Sequence, residues 1–241
     1  MKALFVTGTD TGVGKTFISL ALIAAWRRTG LRVGVFKPCE TGCTPCGIGP
    51  GDGVLGDLLP DDASHLLAAA ASGQSLDEVC PYRFHLPMAP AEAAAVEGRD
   101  EVSLSRCGEL FRSIRARYDV TLVEGAGGLL VPFCGAATTV DLIRELDIPV
   151  LVVARLGLGT INHSCLTVEA ARARGLEVLG LVFSRGQDPG VVPPGPDEER
   201  NPDTVARLAQ VSVWGRVPWI PDHDPERAGG SIDTPGILTR L

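Results

Sequence analysis

The sequence predicts an α/β fold in which a mostly parallel sheet is covered by helices on both faces, as a single domain over residues 1–241. Short, uninterrupted apolar runs alternate with helical patterns, which is typical of parallel strands buried on both sides. A glycine-rich turn follows the first apolar run and leads directly into a helical pattern. A chain of 241 residues suits one α/β domain.

Each strand is predicted from a short apolar run, and each helix from apolar residues that recur at spacings of three and four. In chain order, the predicted strands cover residues 3–6, 32–36, 121–123, 149–154, 178–183 and 214–217. The predicted helices cover residues 16–28, 104–117, 140–146 and 161–174. Two stretches rich in Gly and Pro, 43–60 and 187–202, are predicted as loops, and Pro225 and Pro235 break the C-terminal tail.

Composition excludes several classes of protein. There are 22 Lys and Arg against 29 Asp and Glu, and a net charge of −7 argues against nucleic-acid binding. The longest apolar stretch, 17–26, is too short to cross a membrane, and the apolar run at 3–6 is too short for a signal-peptide core. The 7 cysteines are scattered and odd in number, which is typical of reduced thiols. We therefore expect a cytoplasmic protein without membrane or nucleic-acid partners.

The glycine-rich turn at 8–16 has the context of a phosphate-binding loop, because a strand precedes it and a helix follows. Glycines let backbone N–H groups turn toward an anion, and the helix N-terminus adds a favourable dipole. Lys15 would reach the β- and γ-phosphates, and the Thr16 hydroxyl would bind Mg²⁺. The strict pattern requires Gly where Thr9 stands, and Gly8 lies one residue earlier, so the loop is a variant.

Two further charged residues follow predicted strands and should lie at the same edge of the sheet. Glu124 comes after the strand at 121–123, and Lys37 comes after the strand at 32–36. Ligands of parallel sheets bind at the carboxyl ends of the strands. A carboxylate there can hold a metal ion, and a cation can neutralise a transferred phosphate. The pattern predicts a phosphoryl-transfer site.

The chain resembles the dethiobiotin synthetase family through an ordered set of segments that spans most of its length. The matching segments are 6–16, 37–38, 41–42, 62–63, 81–82, Pro87, Pro90, 123–128, 158–163, Gly215 and Pro218. The first segment marks only the P-loop NTPase superfamily, whereas Lys37-Pro38 with Thr41-Gly42 and the segment 158–163 are specific for the family. The resemblance implies ATP-dependent closure of 7,8-diaminopelargonate with CO₂ to a cyclic urea, through a carbamate and a carbamic–phosphoric anhydride.

The resemblance also implies roles for individual residues. Lys37, Lys15 and Thr11 would be catalytic, and Thr16, Asp62 and Glu124 would bind Mg²⁺, with Asp61 competing with Asp62 on local sequence. The nucleotide would contact Gly12, Val13, Gly14, Lys15, Thr16, Phe17, Asp62, Glu124, Gly125, Ala126, Gly127, Ser184, Arg185, Pro218, Trp219 and Ile220. Thr41 would contact the diamine, and its carboxylate tail would be held across a homodimer interface by Leu158, Gly159, Thr160, Ile161 and Asn162.

One position departs from the family pattern. Many members have Asn-Asp where Ser184-Arg185 stands, and the Asn reads adenine. A serine hydroxyl cannot replace the two-point contact of an amide, so base selectivity is in question. Arg185 could instead stack on a base or contact the ribose, and the segment 218–220 could supply a wall.

Two alternatives have other functions on a similar fold. The first is the ATP-using part of a cobyrinate amidating synthetase, which also needs a glutamine-hydrolysing domain for which 241 residues leave no room. The second is a nucleotide switch of the chromosome- or septum-partitioning kind. Those proteins place a signature Lys five residues before the loop Lys, and that position is Asp10 here.

Overall fold

A computed structural model describes residues 1–48 and 55–241 of the chain. The strands are β1 (Lys2–Gly8), β2 (Val33–Phe36), β3 (Cys39–Thr41), β4 (Thr44–Ile48), β5 (Leu55–Leu59), β6 (Tyr82–Phe84), β7 (Val120–Gly128), β8 (Pro132–Cys134), β9 (Ala137–Thr138), β10 (Val150–Arg155), β11 (Val178–Ser184) and β12 (Val213–Val217). The helices are α1 (Lys15–Arg28), α2 (Asp61–Ala70), α3 (Leu76–Val79), α4 (Pro90–Glu97), α5 (Leu104–Arg115), α6 (Thr139–Leu146), α7 (Thr160–Ala173), α8 (Pro196–Ala209), α9 (Pro225–Gly229) and α10 (Thr234–Arg240).

The core is a 6-stranded sheet in the order β12-β11-β10-β1-β7-β2, and every neighbouring pair is parallel. Side chains of a strand alternate between the two faces, so a strand buried on both faces is apolar throughout. Along β1, Ala3 and Phe5 belong to one apolar cluster and Leu4 and Val6 to the other. The sheet therefore has a separate core on each side.

Helices cover both faces of this sheet. Ile18 of α1, Leu66 of α2 and Ala228 of α9 are buried in one cluster. The opposite cluster contains Phe111 of α5 and Val168 of α7. Parallel strands need a crossover between them, and helices that alternate with strands supply it on either face. The predicted α/β class is confirmed, as is its parallel sheet between two helical layers.

Most of the predicted elements are present with ends shifted by a few residues, but both predicted loops are wrong in part. The stretch 43–60 contains the antiparallel pair of β4 and β5, and its residues 49–54 lie outside the described part of the chain. The stretch 187–202 includes the start of α8, whose first residue is Pro196 and which runs through Pro202. Pro196 suits the first turn of the helix, where its missing N–H would have no intrahelical partner, whereas Pro202 lies inside the helix.

The prolines of the tail also start helices. Asp224 accepts a hydrogen bond from the backbone N–H of Glu226 and caps α9, which begins at Pro225. Asp233 caps α10 in the same way through the N–H of Gly236. An aspartate followed closely by proline is a signal for a helix start as much as for a break. Sequence analysis also missed the short elements α2, α3, α4, β3, β6, β8 and β9.

No helix in the described ranges combines the length and hydropathy that a membrane span needs.

Truncation of a core leucine tests the packing of the sheet. Leu122 of β7 is fully buried, so Leu122→Ala should lower the free energy of unfolding by about 3 kcal/mol, through lost burial and a residual cavity. Leu208 of α8 is 55% exposed, and Leu208→Ala should change that free energy by less than about 0.5 kcal/mol. Urea unfolding followed by circular dichroism measures both. Equal effects of the two substitutions would contradict the assignment of Leu122 to the core.

Candidate active site

The turn between β1 and α1 forms the floor of the site. Gly14 precedes α1 with φ 93°, a left-handed conformation that glycine adopts without strain. Lys15 is nearly buried, and its Nζ donates to the backbone carbonyl of Asp10 across the turn at 3.1 Å. Burial lowers the pKa of Lys15, and the carboxylate of Glu124 opposes this shift. The ammonium is thus already directed over the turn where phosphates would bind.

Glu124 of β7 is the centre of the polar contacts. Its side chain is fully buried, which is tolerable for a carboxylate only when it is paired and hydrogen-bonded. Its Oε1 accepts from Thr16 Oγ1 at 2.9 Å and from Lys37 Nζ at 2.6 Å. Its Oε2 accepts from Ser19 Oγ at 2.6 Å. Glu124 therefore joins α1 to the segment that follows β2.

Lys37 provides the second ammonium of the site and is 3% exposed. Its Nζ also lies 3.3 Å from Asp62 Oδ2. Burial alone would lower the pKa of Lys37, but the carboxylates of Glu124, Asp62 and Glu40 outweigh it and raise that pKa. The side chain therefore stays protonated. An ammonium has three donors, so Lys37 can still bind an anion beside its two carboxylate contacts.

The choice between the two aspartates at the start of α2 follows from their contacts. The carboxylate of Asp62 faces Lys37, whereas Asp61 Oδ2 accepts from Thr44 Oγ1 at 3.3 Å and is exposed. The geometry thus favours Asp62 as the residue that belongs to the site.

The oxygen atoms near Lys37 are of the kind that magnesium prefers. Mg²⁺ prefers oxygen ligands and in nucleotide enzymes uses one or two carboxylates together with phosphates and water. Glu124 and the hydroxyl of Thr16 are in contact, and Asp62 reaches the same lysine. No group of three or more His, Cys, Asp and Glu side chains in the described residues could hold a metal ion. In nucleotide enzymes, phosphate and water oxygens complete such a ligand set.

A cavity of about 330 Å³ opens above these residues. The residues that sequence analysis predicted for the site and that line this cavity are Thr11, Gly12, Gly14, Lys15, Thr16, Phe17, Lys37, Thr41, Asp62, Gly125, Ala126 and Gly127. Most of the predicted phosphate-side set thus comes together at the carboxyl ends of β1, β2 and β7.

The predicted base-side residues lie apart from this cavity. Ser184 is buried against the phosphate loop, where a Cβ on Gly14 would lie 2.9 Å from its Oγ. Arg185 is also buried, and its Nε donates to Glu198 at 2.8 Å. A second NH group of Arg185 donates to the carbonyl of Val192 at 2.5 Å. Arg185 lines a neighbouring cavity together with Val13 and Leu158. Its guanidinium is held by Glu198 of α8 and by Val192 of the loop before that helix.

The segment 218–220 follows β12, whose Val217 is aligned with Ser184 of β11. The Trp219 ring packs edge-on against His223 at a centroid distance of 5.3 Å. His223 in turn packs edge-on against Phe17 at 5.7 Å, while Ile220 is buried and Pro218 is exposed. These rings form an aromatic row beside α1.

The segment predicted to hold the substrate's carboxylate is the turn from β10 into α7. Gly159 precedes α7 with φ 89°, and Leu158 is 88% exposed. Asn162 is exposed, Ile161 is half-buried and Thr160 is buried. These residues do not line the cavity of Lys37, and their role in a partner's site stays a prediction.

Two polar residues of the site were not predicted from sequence. Ser19 lies one turn after Thr16 on α1 and interrupts an apolar stretch, a spacing that places both hydroxyls on one helix face. Glu40 is a 6% exposed carboxylate within β3 and lines the cavity. A charged residue inside a buried strand was the available signal for Glu40.

Comparisons with known proteins agree with the geometry. A family model described as an AAA domain matches residues 2–227. The ATP-dependent dethiobiotin synthetase BioD of Anaeromyxobacter sp. (strain K) is 46% identical over 226 residues, which cover 92% of each chain. The protein of that name from Aquifex aeolicus (strain VF5) is 39% identical over 219 residues, covering 91% of this chain and 90% of the relative.

Solved structures support the fold class. The MinD cell division protein of Aquifex aeolicus superposes with a TM-score of 0.56 at 13% identity, covering 100% of this chain and 96% of that one. The MinC:MinD cell division protein complex from the same organism gives a TM-score of 0.56 at 12% identity, with 100% and 95% covered. At these identities the likeness extends to the fold alone.

The contact between Lys37 and Glu124 can be tested by a double-mutant cycle. Lys37→Met removes the cation and leaves a buried carboxylate, so it should lower the free energy of unfolding by about 3 kcal/mol. Adding Glu124→Gln removes the unpaired charge and should recover part of that loss. Urea unfolding in buffer without magnesium or nucleotide measures the cycle. Additive effects of the two substitutions would contradict a direct pair.

Proposed function

Because the chain belongs to the family of ATP-dependent dethiobiotin synthetases, and is thus a ligase that forms C–N bonds in biotin biosynthesis, we propose that Lys37, Lys15 and Thr11 bring its reacting groups together. The observation that carries this proposal is the convergence of two buried ammonium groups over the phosphate-binding turn. Dethiobiotin synthesis is ATP-dependent, and small molecules are its substrates.

The chemistry explains why two cations are needed. One amine of 7,8-diaminopelargonate captures CO₂ as a carbamate, which is a poor electrophile until it is phosphorylated. The carbamate and the γ-phosphate are both anionic and repel each other. Lys15 would bind the β- and γ-phosphates, and Lys37 would lie between the γ-phosphate and the carbamate. Positioning and charge neutralisation are most of what phosphoryl transfer asks of a protein.

A carbamate oxygen attacks the γ-phosphorus, forming a new P–O bond, and the bond from that phosphorus to the β-phosphate oxygen breaks, releasing ADP. The second amine then attacks the carbamoyl carbon of the anhydride, which closes the ring. Phosphate leaves with the former carbamate oxygen, and the attacking nitrogen loses a proton. Thr41 would orient the diamine, and Thr11 would contact the transferred group, since both line the cavity.

We propose that Thr16, Asp62 and Glu124 hold a magnesium ion with the nucleotide. The hydroxyl–carboxylate contact of 2.9 Å between Thr16 and Glu124 supports this set. Bound there, Mg²⁺ would supply charge neutralisation at the β- and γ-phosphates. The backbone N–H groups of the turn, from Gly12 to Thr16, would hold the remaining phosphate oxygens.

The substrate's carboxylate tail would be bound by a second copy of the chain. The segment from Leu158 to Asn162 leads into the 14-residue helix α7, and Leu158, Gly159 and Asn162 are exposed. Free N–H groups at a helix start suit a carboxylate. We therefore propose a homodimer. A cytoplasmic location is supported by 7 free cysteines, and the net charge of −7 argues against a nucleic-acid partner.

Recognition of the base would be weak. Ser184 offers one hydroxyl, and Arg185 is held by Glu198 and Val192. The remaining base-side candidates are the aromatic row of Phe17, His223 and Trp219, whose ring faces do not distinguish one base by hydrogen bonds. The enzyme should therefore accept CTP and GTP beside ATP, with kcat/KM values within about tenfold of one another.

The test of the function is phosphate release from ATP and Mg²⁺, measured with and without diaminopelargonate and bicarbonate. Release should require both compounds, and mass spectrometry should detect the cyclic urea. CTP and GTP in the same assay measure base selectivity. Slow release that is indifferent to the diamine, with every nucleotide, would overturn the proposal.

Replacement of Lys37 separates catalysis from nucleotide binding. Lys37→Ala should lower kcat by at least about 100-fold, because a cation aimed at the transferred charge is lost. Binding of a non-hydrolysable ATP analogue, measured by calorimetry, should stay within about threefold of wild type, since Lys15 and the turn are intact. Lys2→Ala is the matched control, because Lys2 contacts the carbonyl of Leu238 instead of the cavity. Equal loss of binding and turnover would remove Lys37 from the catalytic set.

A further inference from the structure

Glu40 is a buried carboxylate that makes two backbone contacts in the site. It lies in β3, which pairs in parallel with β6, and Glu40 is aligned with Arg83 in that pair. Its Oε1 accepts from the backbone N–H of Asp62 at 3.0 Å, and its Oε2 accepts from the N–H of Ala63 at 2.9 Å. Both carboxylate oxygens thus contact the first turn of α2.

These contacts replace an ordinary helix cap. The first N–H groups of a helix have no intrahelical partner and are usually satisfied by a Ser, Thr, Asp or Asn side chain just before the helix. Pro60 occupies that position in α2 and makes no side-chain cap. Glu40 supplies the acceptors from 22 residues earlier in the chain, and its negative charge also suits the positive end of the helix.

Asp62 contacts both Glu40, through its backbone, and Lys37, through its side chain. Asp62 donates its N–H to Glu40, while its carboxylate lies 3.3 Å from Lys37 Nζ. Glu40 and Lys37 belong to one short segment after β2, so that segment fixes both the cation and the turn that presents the aspartate. The chain between Glu40 and Asp62 includes the antiparallel pair of β4 and β5.

We propose that Glu40 is a positioning residue that sets the affinity of the enzyme for magnesium by holding Asp62 in place. This inference rests on the proposed function, because it takes Asp62 as a ligand of Mg²⁺. Outer residues that orient metal ligands commonly change metal affinity by about 10- to 100-fold when they are replaced. In this role Glu40 is not itself a ligand of the metal and acts on it by holding Asp62.

The test uses Glu40→Gln in the full-length enzyme. An amide keeps one acceptor and turns an NH₂ donor toward the second N–H, so the turn loses one contact and gains a repulsion. Binding of Mn²⁺ in the presence of ADP, followed by the electron paramagnetic resonance signal of free Mn²⁺, should weaken about tenfold. The Mg²⁺ concentration for half-maximal phosphate release should rise similarly, with kcat at saturating Mg²⁺ falling less than threefold.

Glu97→Gln is the matched control for the loss of a buried carboxylate. Glu97 is mostly buried on α4, and its Oε1 accepts from the backbone N–H of Leu86 at 2.7 Å. This variant should leave the affinity for Mn²⁺ unchanged even if its melting temperature falls. The affinity for ADP in EDTA should stay at the wild-type value in Glu40→Gln and in Glu97→Gln. The two backbone contacts of Glu40 are with α2 and not with the phosphate-binding turn.

Asp62→Asn distinguishes a failure of the role proposed for Glu40 from a failure of the magnesium site proposed for Asp62. Weaker Mn²⁺ binding in Asp62→Asn and in Glu40→Gln, with wild-type binding in Glu97→Gln, supports the role of Glu40. Weaker binding in Asp62→Asn alone overturns that role and leaves the metal site intact. Wild-type binding in both variants overturns the magnesium site proposed for Asp62 together with the role of Glu40. An equal loss in Glu97→Gln would show a general loss of stability and would also overturn it.

Discussion

The buried pair of Lys37 and Glu124 is the interaction on which the site depends. A fully buried carboxylate and a nearly buried ammonium each cost several kcal/mol to desolvate, and their contact at 2.6 Å offsets that cost only with further hydrogen bonds. Thr16 and Ser19 provide those bonds from α1. The pair therefore joins strand β7, helix α1 and the segment after β2 into one unit.

The parallel sheet makes this convergence possible. β1 lies between β10 and β7, and β7 lies between β1 and β2, so three carboxyl ends stand side by side. Each strand end contributes one element of the site: the phosphate turn, Glu124 and Lys37. The apolar clusters on both faces pack against these strands, so the core fixes the spacing of the strand ends that carry the groups of the site.

Residues that follow strands were predictable from sequence, because the end of an apolar run shows where a strand ends. In a parallel sheet, the carboxyl ends of the strands lie at the same edge. Lys37 is of this kind, as are Lys15 and Thr16 after the turn that follows β1, whereas Glu124 lies within the longer strand β7. Contacts made between distant segments were not predictable. Glu40 binds backbone groups of α2, and Arg185 turns to Glu198, whose helix was hidden within a proline-rich stretch. No local pattern encodes either partner, since each depends on how the intervening chain folds back.

The transfer of oxygen from bicarbonate to phosphate tests most directly whether the two lysines bring a carbamate to the γ-phosphate. The enzyme would be run with ¹⁸O-labelled bicarbonate in a short incubation that limits exchange with water, and the released phosphate would be analysed by mass spectrometry. Attack by a carbamate oxygen and its departure with phosphate on ring closure predict one labelled oxygen per phosphate formed. Unlabelled phosphate, released while the cyclic urea accumulates, would contradict attack by the carbamate at the site of Lys37.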